Sequence, residues 1–117
     1  MRRSRTRQER LRAGRDIKGL FAGGKRVEVG GMKLLYRGNG SVVNRFTVVV
    51  ARGCGGAVRR NREKRITREA YRSLKDRVSG GNDLLFLVVR FGAPFFERRS
   101  AVEALLKRAG LTSRAGS

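Results

Sequence analysis

The chain has 117 residues, with 29 Lys or Arg against 9 Asp or Glu and no His, so its formal charge of +20 does not vary near neutral pH. The length suits one domain, and 39% hydrophobic residues suffice for one small core. A single cysteine, Cys54, excludes an internal disulfide framework and a multi-cysteine zinc site, and the lack of His removes ordinary zinc sites and imidazole acid–base catalysis.

No run of about 18 apolar residues exists to span a membrane. The basic start MRRSRTRQERLR is not followed by the apolar stretch of a secretory signal, and Glu9 and Asp16 argue against a mitochondrial presequence. The expected setting is soluble, reducing and cytoplasmic. The charge is clustered, with ten Lys or Arg in residues 1–26 and nine in residues 57–77. Arg greatly outnumbers Lys, and its planar fork grips phosphate bidentately and stacks on bases. A membrane-surface helix would set large apolar residues opposite its basic face. A nucleic acid is the leading partner, with a merely solvated charged surface as the alternative.

Residues 1–12 read as a flexible basic arm. A short helix is expected from Arg15 to Ala22, where Ile17, Leu20 and Phe21 form one apolar stripe. Gly23-Gly24 is expected to close it through a left-handed cap. Val27 and Val29 alternate in a first strand, and Gly30-Gly31 marks a turn. Met32 to Arg37 reads as a second strand with Met32, Leu34 and Tyr36 on one face. Gly38 to Ser41 is a turn. The β-branched run Arg45 to Arg52 reads as a strand in the sheet interior, ended by Gly53-Cys54-Gly55-Gly56. Residues 57–77 are the clearest helix: Ile66, Ala70 and Leu74 recur every four residues as a buried stripe. Asn61, Lys64, Arg65, Arg68, Arg72 and Lys75 fall on the other side. Leu84 to Phe91 is an interior strand, and residues 97–109 a last helix burying Val102, Leu105, Leu106 and Ala109. The domain is expected over residues 13–109 and a frayed tail over 110–117. One sheet packed against helices, an α/β sandwich, is the expected class.

The informative segment begins at Arg59. A glycine-rich loop leads into a helix start, where unpaired N–H groups and the helix dipole favour an anion. Arg60 and Arg62 project there, Asn61 can donate and accept toward a base edge or ribose hydroxyl, and Lys64, Arg65 and Arg68 extend the cationic track. Charge alone leaves an ordinary solvated helix face as the alternative. Glu63 and Glu69 are poorly placed for joint metal binding and read as intrahelical ion-pair partners. Cys54 reads as a small apolar residue. No catalytic side chain and no protein metal site is expected.

The order of residues 60–69, RNREKRITRE, resembles the RNR signature of the protein subunit of bacterial ribonuclease P. Flanking segments are similar too: Arg10-Leu11 and Asp16 to Gly24 for the first helix, Leu34-Leu35-Tyr36 for the central strand, Arg45 to Ala51 before the signature and Asp83 to Ala93 after it. The similarity covers roughly residues 10–108. The chain differs from the family pattern at Ile17, Lys33, Val49, Ala51, Gly53 and Gly56.

The resemblance implies a mixed α+β sandwich like domain 2 of ribosomal protein S5, in the order α-β-β-β-α-β-α, with a left-handed β-α-β crossover against the usual handedness. It implies a protein that assists a catalytic RNA subunit in endonucleolytic removal of the 5′ leader from precursor tRNA, the catalytic groups lying in the RNA and magnesium being held mainly by the RNA. The implied partners are ribonuclease P RNA and precursor tRNA, with neither DNA nor membrane. Carried over, the catalytic-RNA contacts are Arg60, Asn61, Arg62, Lys64, Arg65 and Arg68. The implied leader cleft is lined by Ile17, Phe21, Leu34, Tyr36 and Val49, where aromatic faces could stack on bases of any sequence; for Phe21 and Tyr36, core packing is the competing role. A structural RNA-binding protein of the ribosome is the alternative function. A nuclease acting through its own side chains is disfavoured by the lack of His and of a carboxylate cluster.

Overall fold

The structure, a computed structural model, describes residues 14–112, with side chains from Ile17 onward. Helix α1 spans Gly14–Gly23. Strands β1, Lys25–Val29, and β2, Met32–Gly38, form a hairpin through the two-residue turn Gly30-Gly31, with Gly30 at φ +52°. Strand β3, Arg45–Val50, leads into helix α2, Ala57–Leu74, which tightens into a 3₁₀ turn over Lys75–Arg77. Strand β4, Asn82–Val88, and helix α3, Phe95–Arg108, complete the domain. The expected basic arm at 1–12 and residues 113–117 lie outside the described residues.

The sheet order is β1-β2-β4-β3. Strand β2 is antiparallel to β1 and β4, whereas β3 runs parallel to β4, to which α2 connects it. Strand β4 is central because both its faces are apolar and covered: Leu84, Phe86 and Val88 point one way, Leu85 and Leu87 the other. Strand β3 is an edge strand, contrary to the interior position expected from its β-branched run. Its residues Phe46, Val48 and Val50 are buried, while Arg45, Thr47 and Val49 on the reverse face are only half-buried. That one-sided alternation is what an edge permits.

The main core lies between the sheet and the α2/α3 pair. Met32, Leu34, Phe46, Val48, Leu84, Phe86 and Val88 meet Ala70, Tyr71 and Leu74 of α2 and Val102, Leu105 and Leu106 of α3. The Tyr71 ring sits between Phe46 and Phe86, with centroids 4.4 and 5.5 Å away. Each fully buried side chain of this size contributes about 1.5–3 kcal/mol, so this layer dominates stability. Cys54 packs here as a small buried residue. On the reverse face α1 lays Leu20 onto Leu35 and Leu85, flanked by Ile17, Val49 and Leu87.

Two details depart from expectation. Neither Gly23 nor Gly24 has positive φ. Glycine is required at 24 because a Cβ would stand 2.8 Å from the Leu20 carbonyl and 3.2 Å from that of Tyr36, where the chain folds back onto β2. The chain after Gly110 does not fray at once. Leu111 is buried and accepts from the Ser79 N–H at 2.6 Å, and Thr112 bridges Val78.

Candidate nucleic-acid interface

Helix α2 presents two chemically opposed sides. Its inward stripe is wider than the apolar spacing indicated: Glu63, Ile66, Thr67, Ala70, Tyr71 and Leu74 are all buried. Thr67 is accommodated by donating its hydroxyl to the Glu63 carbonyl at 2.9 Å. The other side carries Asn61, Arg62 and Arg65, exposed, flanked by half-buried Arg60, Lys64 and Arg68. All six expected contact residues are therefore at least partly exposed, with Arg60 the nearest of them to the buried stripe. Arg60 is partly committed: its guanidinium donates to the Val50 carbonyl at 3.1 Å, tying the helix start to the end of β3.

The start of α2 adds fixed positive potential. Gly56 caps it without a side-chain hydrogen bond, and its first turn carries no acid. The leading N–H groups and the helix dipole thus favour an anion beside Arg59, Arg60 and Arg62.

Glu63 is not an intrahelical partner in the sense expected. Its carboxylate, 3% exposed, accepts from the Arg98 guanidinium at 2.6 Å and from the Gly92 N–H at 2.7 Å, and Arg62 Nη1 lies 3.7 Å away. The signature helix is thereby fastened to the β4–α3 loop and to α3. The pairing of Glu63 with Arg98 is not evident in the sequence. The available signal was the spacing 63, 66/67, 70, 74, which puts a carboxylate on the inward stripe and demands a buried cation.

The residues expected to line a leader cleft are divided by the sheet. Ile17 and Val49 come together on the α1 face around Leu20, Leu35, Leu85 and Leu87. Phe21 is 44% exposed on α1. Leu34, fully buried, and Tyr36 point to the opposite face and belong to the main core. The correction follows from alternation along β2. Met32, Leu34 and Tyr36 do share a face, but that face meets α2 and α3, leaving Lys33, Leu35 and Arg37 toward α1. The α1-side surface is also polar at its margins. The Arg37 guanidinium lies so close to Gly19 that a Cβ there would come within 2.7 Å of it, and Lys33 pairs with Glu28 at 3.3 Å. Arg45 clasps Asp83 with two hydrogen bonds of 2.9 Å. Because α1 packs over β2 and β4, the same-face residues Thr47 and Val49 of the edge strand stay half-open beside it.

Among the described residues, no cluster of three His, Cys, Asp or Glu is placed to hold a metal, and no helix is long and apolar enough to cross a membrane.

Taken together, a four-stranded sheet with helices on both faces, a cationic helix fixed by its buried stripe and a net charge of +20 define a small, strongly basic α+β protein. The ribonuclease P family model matches residues 6–110. The chain is 37% identical over 109 residues to the ribonuclease P protein component of Thermotoga maritima, covering 88% of this chain and 93% of that one. The solved structure of the Thermotoga maritima RNase P protein superposes with a TM-score of 0.77 at 34% identity, covering 86% of this chain and 96% of the other. The fold is also that of the Staphylococcus aureus RNase P protein, with a TM-score of 0.79 at 21% identity over 90% of this chain and 98% of that one. The chain belongs to the ribonuclease P protein family, the protein component of an endoribonuclease that processes tRNA.

Proposed function

We propose that this protein binds the catalytic RNA of ribonuclease P through the outward face of α2 and, within that particle, helps to hold the single-stranded 5′ leader of precursor tRNA in the cytoplasm. The observation that carries the reading is the RNR helix itself: Asn61, Arg62 and Arg65 are exposed on one side, with Arg60, Lys64 and Arg68 flanking them, while the opposite side is anchored in the core. Guanidinium groups on a rigid rod suit closely spaced phosphates of a folded RNA, because the backbone that carries them is already ordered and only side-chain rotamers remain to be fixed on binding. Family membership favours this role over that of a ribosomal structural protein.

The leader surface is proposed on the α1 side, from Ile17, Phe21 and Val49 together with Lys33 and Thr47. Phe21 offers an aromatic face for a base, Val49 and Ile17 an apolar floor, and Lys33 a cation for the backbone. Leu34 and Tyr36 act from beneath, by holding β2 in place.

The chemistry of cleavage is assigned to the RNA subunit and to magnesium held mainly by that RNA. The protein's contribution is electrostatic and positional. Adding the purified protein to a ribonuclease P RNA and a precursor tRNA at low magnesium should raise 5′-leader cleavage. No increase over RNA alone rejects the proposal.

A further inference from the structure

Three of the protein's six phenylalanines are exposed: Phe21 in α1, and the adjacent pair Phe95 and Phe96 that opens α3. Phe95 is 41% and Phe96 69% exposed. A lone exposed apolar residue calls for no explanation, but two consecutive exposed aromatics at one helix start do. Helical spacing sets Arg99 beside both, at i+3 from Phe96 and i+4 from Phe95, and Arg99 is held in place by donating to Ser73 Oγ at 2.9 Å.

The patch is tied to the signature helix. The loop just before it is clamped to α2 by the Gly92 N–H on Glu63, and Arg98, one turn after Phe95, ends on the same carboxylate that Arg62 approaches. These contacts set the start of α3 beside the Arg62 end of α2. Charge selects the occupant. Two copies of a +20 chain repel one another, so an apolar patch on this surface is poorly suited to self-association, whereas an RNA brings both neutralising phosphates and flat bases.

We infer that Phe95 and Phe96 form a stacking platform for unpaired bases of the catalytic RNA, continuing the cationic track of α2 onto α3. This rests on the RNA-binding role proposed above and adds to it an aromatic contact that the RNR signature does not contain. The stacking partner is the base face, which any sequence presents, so the platform favours single-stranded over double-stranded segments.

The chain has no Trp, so a Phe96→Trp variant carries a single indole reporter at the platform. Titration with a ribonuclease P RNA should quench its emission, and a blunt RNA duplex of similar charge should not. Phe95→Ala/Phe96→Ala, checked for an unchanged thermal melt, should bind the ribonuclease P RNA about tenfold more weakly, as for loss of one well-stacked base. Its log–log salt slope should equal the parent's, since no charge is removed. Affinity within twofold of the parent, emission unmoved by saturating RNA, or equal quenching by the duplex overturns the inference while leaving the α2 contact standing. So does concentration-dependent self-association of the parent that the double variant abolishes. A parent protein that fails to bind the RNA at all brings down both readings.

Discussion

Glu63 and Arg98 face each other across the α2/α3 contact with their charged groups 2.6 Å apart, and each residue is only 3% exposed. The carboxylate is satisfied by Arg98 and by the Gly92 N–H, while Arg98 Nε has no partner. Breaking a buried pair leaves an uncompensated charge, which costs about 3–5 kcal/mol, whereas exchanging both members for apolar residues of similar volume is often close to neutral. Arg98→Met should therefore lower the unfolding free energy by about 3–5 kcal/mol, and Glu63→Leu/Arg98→Met by much less than the two single changes summed. Urea melts with a constant m-value provide the measurement. Additive single effects would show that the pair is not coupled.

The cationic face of α2 makes a prediction separable from stability. Arg65 is exposed, and truncating it removes a charge but no core contact. Arg65→Ala should leave the thermal midpoint within a degree or so and reduce the log–log salt slope of RNA binding by about 0.7–0.9, one phosphate contact. Affinity measured across a potassium chloride series reads this directly; an unchanged slope would remove Arg65 from the interface.

The two faces of the sheet should respond differently. Phe21→Ala on the α1 side should weaken binding of precursor tRNA to the assembled particle by about 1–3 kcal/mol, the worth of one base stack, and leave mature tRNA unaffected. Leu34→Ala on the other face should cost about 2–5 kcal/mol of folding stability as a cavity in the main core. Under conditions where it remains folded, it should not discriminate between the two RNAs. Parallel affinities for precursor and mature tRNA, alongside melts of both variants, distinguish these outcomes.

Asp83 pins the edge strand. It accepts two hydrogen bonds from Arg45 and one from Asn39 Nδ2, all at 2.9 Å, at the end of the β3–β4 ladder. Charge-assisted bonds of this kind contribute about 1.5–3 kcal/mol. Asp83→Asn should destabilise by about that amount and speed amide exchange in β3 ahead of β4. Uniform exchange across both strands would place the stabilisation elsewhere.

Much of this is legible in the sequence for a physical reason. Helix α2 combines a four-residue apolar spacing with a distinctive run of Arg, Asn and Lys, so its position, its two sides and its RNR signature are local properties. The alternation in β2 and the apolar run of β4 are local too: β2 lies where the pattern puts it, whereas β4 occupies Asn82–Val88, starting two residues before Leu84 and ending three before Phe91. The Glu63 ion pair was hidden because Arg98 lies 35 residues away, and no spacing rule links α2 to α3.

From the chain alone came the element order, the basic character of the α2 surface and the grouping of Met32, Leu34 and Tyr36 on one face. Only the tertiary structure decided which layer covers that face, and so moved Leu34 and Tyr36 out of the α1 surface and into the main core. It also decided that β4 inserts between β2 and β3, leaving β3 at the edge. Period-two patterning divides a strand into two faces, but the identity of the neighbour on each face is settled by packing between segments distant in sequence.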